Sequence, residues 1–599
     1  MKPRILRDAL AGGFVHGAVV YGASLSLLHV VHNRLEASRD ALIVLVLFGL
    51  LYGLWSAAFF LAAALAVWPF SPPEARERRG LGAGLFVYNL FFWEVALLYG
   101  LTYDEAPFHP AGVWGMAAVL ALLAVGIAAV VAVVSWAEIR GLAALHRQGW
   151  LGPAATMLAL LAVAVHAAAP LYTGRGSHRA APPPRIAVAD TGLKVVLVGL
   201  DGADWRVIQP MMEKGMLPAF AGMVRDGSTA DLATLHHSNS AVIWASIYTG
   251  DTPERHGVLD FYRIRFPGMA SPGIFPLHRT FFKELSDLVA PLGLADQVPV
   301  DRFSLHASPP FWEIADRAGL SIGVADGYFY SFPALRPSRP ESWFFSYGLD
   351  EFSAHPSGHL ERFVQPKDVK LYRSLTSVLA GGDFKWQSGV LMRQLGGGIG
   401  GIGDIGGRSQ PRFVNLYTHQ PDSFQHWYWK WFQPDHFFGA GERLAENHDR
   451  IPGLYRDFDA FLARLLPRMG PDTVVIVASD HGHSPTIVDR LYTQHWHGPP
   501  GILLMQGGPV KRGEALQGAN VYDLYPTVLY LLGLPVPQDA EGKVLLEALD
   551  PAFVRAHPVR TVPSYGGLGF SPGLPGARRD SSQNEREIEK LRSLGYIGL

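Results

Sequence analysis

The chain has 599 residues, with 51 Lys and Arg against 52 Asp and Glu, and no cysteine. A formal net charge of −1 gives no electrostatic reason to expect a nucleic-acid partner. The missing cysteines exclude disulfides, thiolate zinc sites and cysteine nucleophiles. At this length a single domain is not expected, and the apolar excess is concentrated before residue 172.

Five apolar segments open the chain, near Ala9–Val31, Ala41–Trp68, Leu81–Leu101, Gly112–Trp136 and Leu151–Leu171. Each reaches the roughly 20 residues that a bilayer crossing needs. The first is too long, and too closely followed by others, to be a cleaved signal peptide. Lys2, Arg4 and Arg7 precede the first segment; Arg76, Arg78 and Arg79 follow the second; Arg140 and Arg147 follow the fourth. The intervening loops are balanced (Arg34 and Arg39 against Glu36 and Asp40) or acidic (Asp104, Glu105). This alternation predicts a cytoplasmic N-terminus, five crossings, and a periplasmic or extracellular remainder. His16, Asn89 and Glu94 fall inside the segments. An intramembrane carboxylate is a functional candidate, though a hydrogen-bonded packing pair between helices is the simpler account.

Residues 173–190, TGRGSHRAAPPPRIAVAD, have the composition of an exposed, semi-rigid linker. Beyond it, short β-branched runs alternate with helix-like stretches: KVVLVGL (194–200), SIGVADG (321–327), RFVNLYT (412–418), TVVIVAS (473–479) and GILLMQG (501–507). Continuous apolar runs of this kind suit a mainly parallel sheet sandwiched by helices. The expected domains are a transmembrane region at 1–172, the linker, and an α/β domain at 191–599 with a cap-like insertion at about 265–400.

The runs end in chemistry. KVVLVGL is followed by Asp201, Gly202 and Asp204, RFVNLYT by HQPD ending in Asp422, and TVVIVAS by Asp480 and His481. QHWHGPP, carrying His497, precedes GILLMQG. An Asp-Gly pair after a strand is ordinary turn chemistry, but ligands in open α/β sheets also bind at the carboxyl ends of strands. Asp422 and His426, four apart, share one side of a helical turn. Asp and His without Cys suit zinc or manganese, and two such ions roughly 4 Å apart clamp the attacking and leaving oxygens of a phosphoryl transfer.

These motifs, in this order, resemble the alkaline phosphatase superfamily, and most closely its type I phosphodiesterase/nucleotide pyrophosphatase branch, from about Lys194 to the end. VGLDGAD resembles the first metal-binding strand. SAVIWASIYTGDTPERHGVLDF resembles the nucleophile segment, in which a Thr or Ser stands nine residues before a Thr-Gly pair; with Thr249-Gly250 as that pair, the nucleophile is Ser240. HQPDSFQH, SDHGH and HGPPG resemble the remaining ligand segments. The resemblance implies an alkaline phosphatase-like fold and two divalent ions, most simply zinc, with manganese as the other option. Asp422, His426 and His497 would hold one; Asp201, Asp480, His481 and the Ser240 oxygen would hold the other. It implies a phosphoryl-serine intermediate and a phosphate-ester substrate, lipid-linked if the membrane half presents it. With no cysteine and no Ser-x-Pro-x-Arg at Ser240, the formylglycine sulfatase pattern is not met. In the nucleotide pyrophosphatases an Asn shortly after His-Gly contacts the phosphoryl oxygens. Here that place is Phe261, which brings no side-chain donor.

Ser238 competes with Ser240, and either serine also suits a helix N-cap. His483 and His495 compete with His481 and His497. GGGIGGIGDIGG (396–407) contains a G-x-G-x-x-G match but follows a helix-like stretch, so it reads as a flexible loop. FQHWYWKWFQPDHFF (424–438) suits either core packing or a belt at a bilayer surface. Two other functions stay open: a transferase moving a phospholipid head group onto an envelope lipid or glycan, and an inactive membrane sensor or binding protein.

Overall fold

The computed structural model describes residues 186–235, 239–269, 295–305, 308–325, 411–436, 443–483 and 498–568, the helical stretch 38–70, and shorter pieces between 10 and 89, between 330 and 355, and at 441, 584, 585, 588 and 591. Two compact units result: Met1–His178 with Tyr262–Val298, and Arg179–Phe261 with Pro299–Leu599.

In the first unit, α1 (Ser38–Val67) is apolar along nearly its whole length. Among the described residues, the helical stretch Asp40–Phe70 is the only one long and apolar enough to cross a membrane. Ala41, Val44, Phe48 and Tyr52 are buried, whereas Leu42, Val46, Leu50 and Leu54 are 48–63% exposed. Their spacing of four lines one helix face with aliphatic side chains. The segment near Ala9–Val31 is described in part, including a π-helical turn at Gly17–Ala23. Leu81–Leu101 is described at scattered residues, and 112–136 and 151–171 lie outside the described residues. Of the five expected spans, one therefore coincides with a helix of spanning length and composition among the described residues. Asn89 is buried and accepts from the Tyr21 hydroxyl at 2.7 Å, the packing pair that a polar group between helices makes. Glu94 lies outside the described residues.

The second unit is built on strands β1 (Lys194–Leu200), β2 (Ser228–Leu232), β3 (Ile322–Ala325), β4 (Trp343–Ser346), β5 (Ser353–His355), β6 (Phe413–Thr418), β7 (Thr473–Ala478), β8 (Gly501–Gln506) and β9 (Glu514–Ala515). Among the described residues they form one nine-stranded sheet in the order β9-β2-β8-β7-β1-β6-β3-β4-β5. The central neighbours β7, β1, β6, β3 and β4 are parallel. β8 runs against β7 and β2, and β5 runs against β4. All five apolar runs read from the sequence supply strands of this sheet. The stretch 265–400 is not wholly a cap, because β3, β4 and β5 come from it.

Helices α2 (Trp205–Glu213), α3 (Pro218–Asp226), α4 (Ser240–Thr249), α5 (Phe311–Arg317), α6 (Gln420–Phe432), α7 (Arg450–Leu465) and α8 (Leu524–Leu531) accompany the sheet. Side chains alternate across a strand, so Val196, Val198 and Leu200 point to one face. There they meet Val414, Leu416, Val475 and Val477, and the apolar sides of α2, α3, α6 and α7. On the other face, α4 lies so close to β1 that a Cβ on Gly199 would stand 2.6 Å from the Trp244 ring. Phe311 of α5 packs edge-on against Phe413 of β6, with ring centroids 5.2 Å apart. Both faces are dry, which is why the central strands read as unbroken apolar runs. Each fully buried Val or Leu there contributes about 1.5–3 kcal/mol relative to exposure. Within the aromatic run, Phe424 and Trp429 are buried in this core while Trp427 is 45% exposed. The glycine-rich stretch 396–407 lies outside the described residues.

Candidate metal centre

β1 ends at Leu200, and the next residue, Asp201, has no exposed surface. Its amide donates to the Thr418 carbonyl at the end of β6 (3.0 Å), and its own carbonyl accepts from the Asp422 amide at the start of α6 (2.9 Å). The main chain alone therefore places two carboxylates beside each other. Gly202 makes the approach possible: its φ is +71°, and a Cβ there would stand 2.8 Å from Asp422 Cβ. The Gly202 carbonyl accepts from Gln425 Nε2 (2.6 Å), and its amide donates to Asp480 Oδ1 (3.1 Å), tying β1 to the end of β7.

Ser240 is the first residue of α4 and is buried. Asn239 caps the helix, its Oδ1 accepting from the Val242 amide (3.3 Å); a cap of this kind contributes about 1 kcal/mol. Its Nδ2 donates to Asp260 Oδ1 (2.8 Å), so the residue before Ser240 is held from two sides. The Ser240 hydroxyl lies 3.1 Å from Asp201 Oδ1 and 3.0 Å from His481 Nε2. Ser238 lies outside the described residues.

Asp480 and His481 follow β7 after one intervening residue, Ser479, and are buried. His481 Nδ1 stands 3.1 Å from the Gly482 carbonyl. A proton on Nδ1 donated to that carbonyl leaves Nε2 as the lone-pair nitrogen. Nε2 faces Ser240, Asp201 Oδ1 (3.5 Å) and Asp480 Oδ2 (3.3 Å). Ligand atoms of Asp201, Asp480 and His481 all lie within 4.8 Å of one another. Burial raises the Asp480 carboxyl to about 8, with the Asp422 charge pushing the same way. Burial, then the charges of Asp480 and Asp422, hold the Asp201 carboxyl well above the usual carboxylate range. The 2.5 Å hydrogen bond from the Tyr417 hydroxyl to Asp201 Oδ2 acts in the opposite direction. Buried carboxylates crowded this way call for a cation, and a carboxylate–imidazole donor set suits zinc or manganese. The residues fit a divalent ion.

Asp422, in the first turn of α6, is buried, and its Oδ2 lies 3.3 Å from His426 Nε2 one turn on. His497 and its rival His495 lie outside the described residues. His483 does not join His481 at the first cluster. It is buried with its ring 5.6 Å from that of His426 and 4.6 Å from that of Trp429. Phe261 is buried, its amide donating to Asp260 Oδ1 (2.8 Å) and its carbonyl accepting from the Val300 amide (3.0 Å). Tyr417 and the Asn239–Asp260 pair were not singled out by the sequence. Tyr417 is one more aromatic residue in an apolar strand, and its one signal is a position next to the strand's end.

The described site is thus two carboxylates, an imidazole and a serine hydroxyl at the carboxyl ends of β1 and β7 and the start of α4, beside a carboxylate–imidazole pair on α6. Residues 78 long are 38% identical to a 2,3-bisphosphoglycerate-independent phosphoglycerate mutase of Cereibacter sphaeroides, over 12% of this chain and 15% of the mutase. A 98-residue stretch is 37% identical to human arylsulfatase K, over 15% of this chain and 17% of the sulfatase. The chain thus spans under a fifth of the length of these two relatives. Among solved structures it is similar to murine ectonucleotide pyrophosphatase/phosphodiesterase 5 (TM-score 0.33, 13% identity, 60% of this chain and 100% of that one). It is also similar to a phosphonate monoester hydrolase from Silicibacter pomeroyi (TM-score 0.35, 13% identity, 60% and 76%). A family model matches residues 195–528, more than half of the chain, and that match contains every described residue of the site. The chain belongs to the type I phosphodiesterase/nucleotide pyrophosphatase family, a family of phosphoric ester hydrolases.

Proposed function

We propose that the chain is a divalent-metal-dependent hydrolase of phosphodiester or pyrophosphate bonds that works through a phosphoryl-serine intermediate on Ser240. The observation that carries this reading is the buried Ser240 hydroxyl, 3.0 Å from His481 Nε2 and 3.1 Å from Asp201 Oδ1. Asp201, Asp480, His481 and the Ser240 oxygen would hold one ion, and Asp422, His426 and His497 would hold the other, with zinc as the expected metal and manganese the next. When bound, the ions supply positive charge beside the serine oxygen and the phosphoryl oxygens, and so lower the serine's pKa. The Ser240 oxygen forms a bond to phosphorus as the bond to the leaving alcohol breaks, and the alcohol departs with that electron pair. The amides of Ser240 and Ala241 stand at the start of α4, where a helix leaves its first N–H groups without intrahelical partners, and help hold the phosphoryl group. Water then cleaves the phosphoryl-serine and restores the hydroxyl. His481, pinned through Nδ1, and Tyr417, pinning Asp201, keep the groups around Ser240 in place.

Phe261 offers the phosphoryl group no side-chain donor, so the reading stops at phosphodiesters or pyrophosphates and does not extend to nucleotides. The membrane half belongs to the same proposal: five spanning helices, a cytoplasmic N-terminus and an outward-facing enzyme. The aliphatic face of α1 supports one of those spans. A reporter fused near Gly176 is expected to be active only if it works after export; a fluorescent cytoplasmic fusion there contradicts the topology. That same lipid-facing side of α1 favours a second reading, transfer of a phospholipid head group onto an envelope acceptor. Steady-state turnover separates the two. With zinc or manganese, the protein should prefer an aryl phosphodiester over the monoester, and Ser240→Ala should be inactive. Preference for the monoester replaces the diesterase reading with a phosphatase. Turnover of neither, with metal bound, leaves transfer to a membrane acceptor.

A further inference from the structure

Asp204 and Arg206 are not among the residues assigned a role above, yet together they grip the main chain of the loop that carries Asp480 and His481. Asp204 is 2% exposed and caps α2, its Oδ1 accepting from the Arg206 amide at 2.7 Å. Its other oxygen, Oδ2, accepts from the His483 amide at 2.7 Å. The Arg206 guanidinium lies against the same carboxylate, Nη2 to Oδ2 being 2.5 Å, and also donates to the His483 carbonyl. One ion pair therefore holds the N–H and the C=O of a single residue. The Asp204 amide donates to the Tyr455 hydroxyl (3.0 Å), anchoring the pair to α7. The guanidinium also stands 5.6 Å from the centre of the Trp429 ring. The seat is tight: a Cβ on Gly482 would stand 2.7 Å from Asp204 Oδ2 and 2.8 Å from Pro499 Cγ.

We infer that Asp204 and Arg206 form a positioning clamp, which fixes the Asp480–His483 loop and through it the spacing of the two halves of the metal site. The inference rests on the metal assignment above. Asp480 and His481 stand on one side of the clamped residue, and the His483 ring itself faces His426 of the other half. A chain end leaving a strand is free to shift by an ångström unless something ties it. A shift of that size is enough to cost about 100-fold in rate where ligand atoms must converge. Charge-assisted hydrogen bonds to both sides of one peptide are a strong tie.

The test uses the full chain in detergent and three variants: Arg206→Ala, Arg206→Lys and, as a control on the metal assignment, Asp480→Asn. Zinc affinity is measured by competition with a chromogenic chelator. Turnover of an aryl phosphodiester and the thermal midpoint of the metal-free protein are measured alongside. Arg206→Ala should weaken zinc about 10- to 100-fold and lower kcat by a similar factor. KM should stay within about twofold, and the metal-free midpoint should stay close to that of the parent. Arg206→Lys, able to keep one of the two contacts, should fall between parent and alanine variant. If Arg206→Ala binds zinc and turns over like the parent while Asp480→Asn loses zinc, the clamp is wrong and the metal assignment stands. If Asp480→Asn also binds like the parent, the metal assignment fails and the clamp with it. If Arg206→Ala does not fold, Arg206→Lys decides, and parental zinc affinity and kcat there overturn the inference.

Discussion

The two halves of the candidate site are built in opposite ways. Asp201, Asp480, His481 and Ser240 come from two strand ends and a helix start, and only the tertiary fold brings them together: β1 lies beside β7, with Gly199 opposite Ala478, and α4 adds Ser240 at its first residue. Asp422 and His426 are one helical turn apart, and α6 would place them on one side wherever it lay. The first half is a tertiary product, braced by Tyr417, by the Gly202 amide and by the Asp204–Arg206 pair. The second is a local product that needs the tertiary fold only to bring it near. A group braced from several sides has little freedom to compensate for a lost neighbour, so damage should be more severe in the first half.

The sharpest way to break this comparison is to delete one ligand from each half. Asp480→Asn should lower kcat for an aryl phosphodiester by at least about 100-fold and abolish tight binding of one zinc per chain. His426→Ala should lose the other zinc with a smaller drop in rate. The reverse ranking, read by metal content and turnover, would mean that the helix half holds the more critical ion. Tyr417→Phe removes the hydroxyl that donates to Asp201 and should cost about tenfold, the scale for a group that orients a ligand.

A gentler probe is pH. Burial raises the Asp480 carboxyl to about 8, from an ordinary 3.8 in the unfolded chain, and Asp201 moves in the same direction. Between those limits the folded metal-free protein holds more protons than the unfolded one, so its stability falls as pH rises. The stabilising effect is complete below about pH 4 and is lost through about pH 8 for Asp480. A divalent ion balances the same carboxylates and displaces their protons. Thermal midpoints of the chelated protein should therefore decline between pH 5 and pH 8, and zinc should remove most of that decline. A metal-free midpoint that rises over this range contradicts the burial of these groups.

The two halves also differ in how they show in the sequence. Strand ends were legible because dry strands give unbroken apolar runs, and Asp201 and Asp480 stand directly after two of them. Ser240 was legible through its spacing to Thr249-Gly250, and the structure supplies the reason. α4 runs from Ser240 to Thr249, and Gly250, at φ +69°, closes it in the left-handed conformation. The fixed spacing is the length of one helix. The bracing was not legible. Tyr417 is camouflaged in an apolar strand, and Asp204 reads as a turn residue, because a cap and a clamp use the same side chain. His483 reads as a spare ligand beside His481, when its backbone is gripped by Asp204 and Arg206 and its ring faces the other half of the site. Such roles depend on strand order, and the order β7-β1-β6 is a property of the folded sheet that a run of valines does not carry. Among the described residues the mixed sheet likewise draws three strands from the stretch read in the sequence as a cap-like insertion.

The central claim, that Ser240 attacks phosphorus, is tested most directly by trapping the covalent intermediate. The metal-loaded protein would be mixed with an aryl phosphodiester, quenched in acid within one turnover, digested and read by mass spectrometry. A phosphoryl adduct on Ser240, absent from Ser240→Ala, is the predicted result. Rapid turnover with no adduct at Ser240, or an adduct on another residue, would contradict the account.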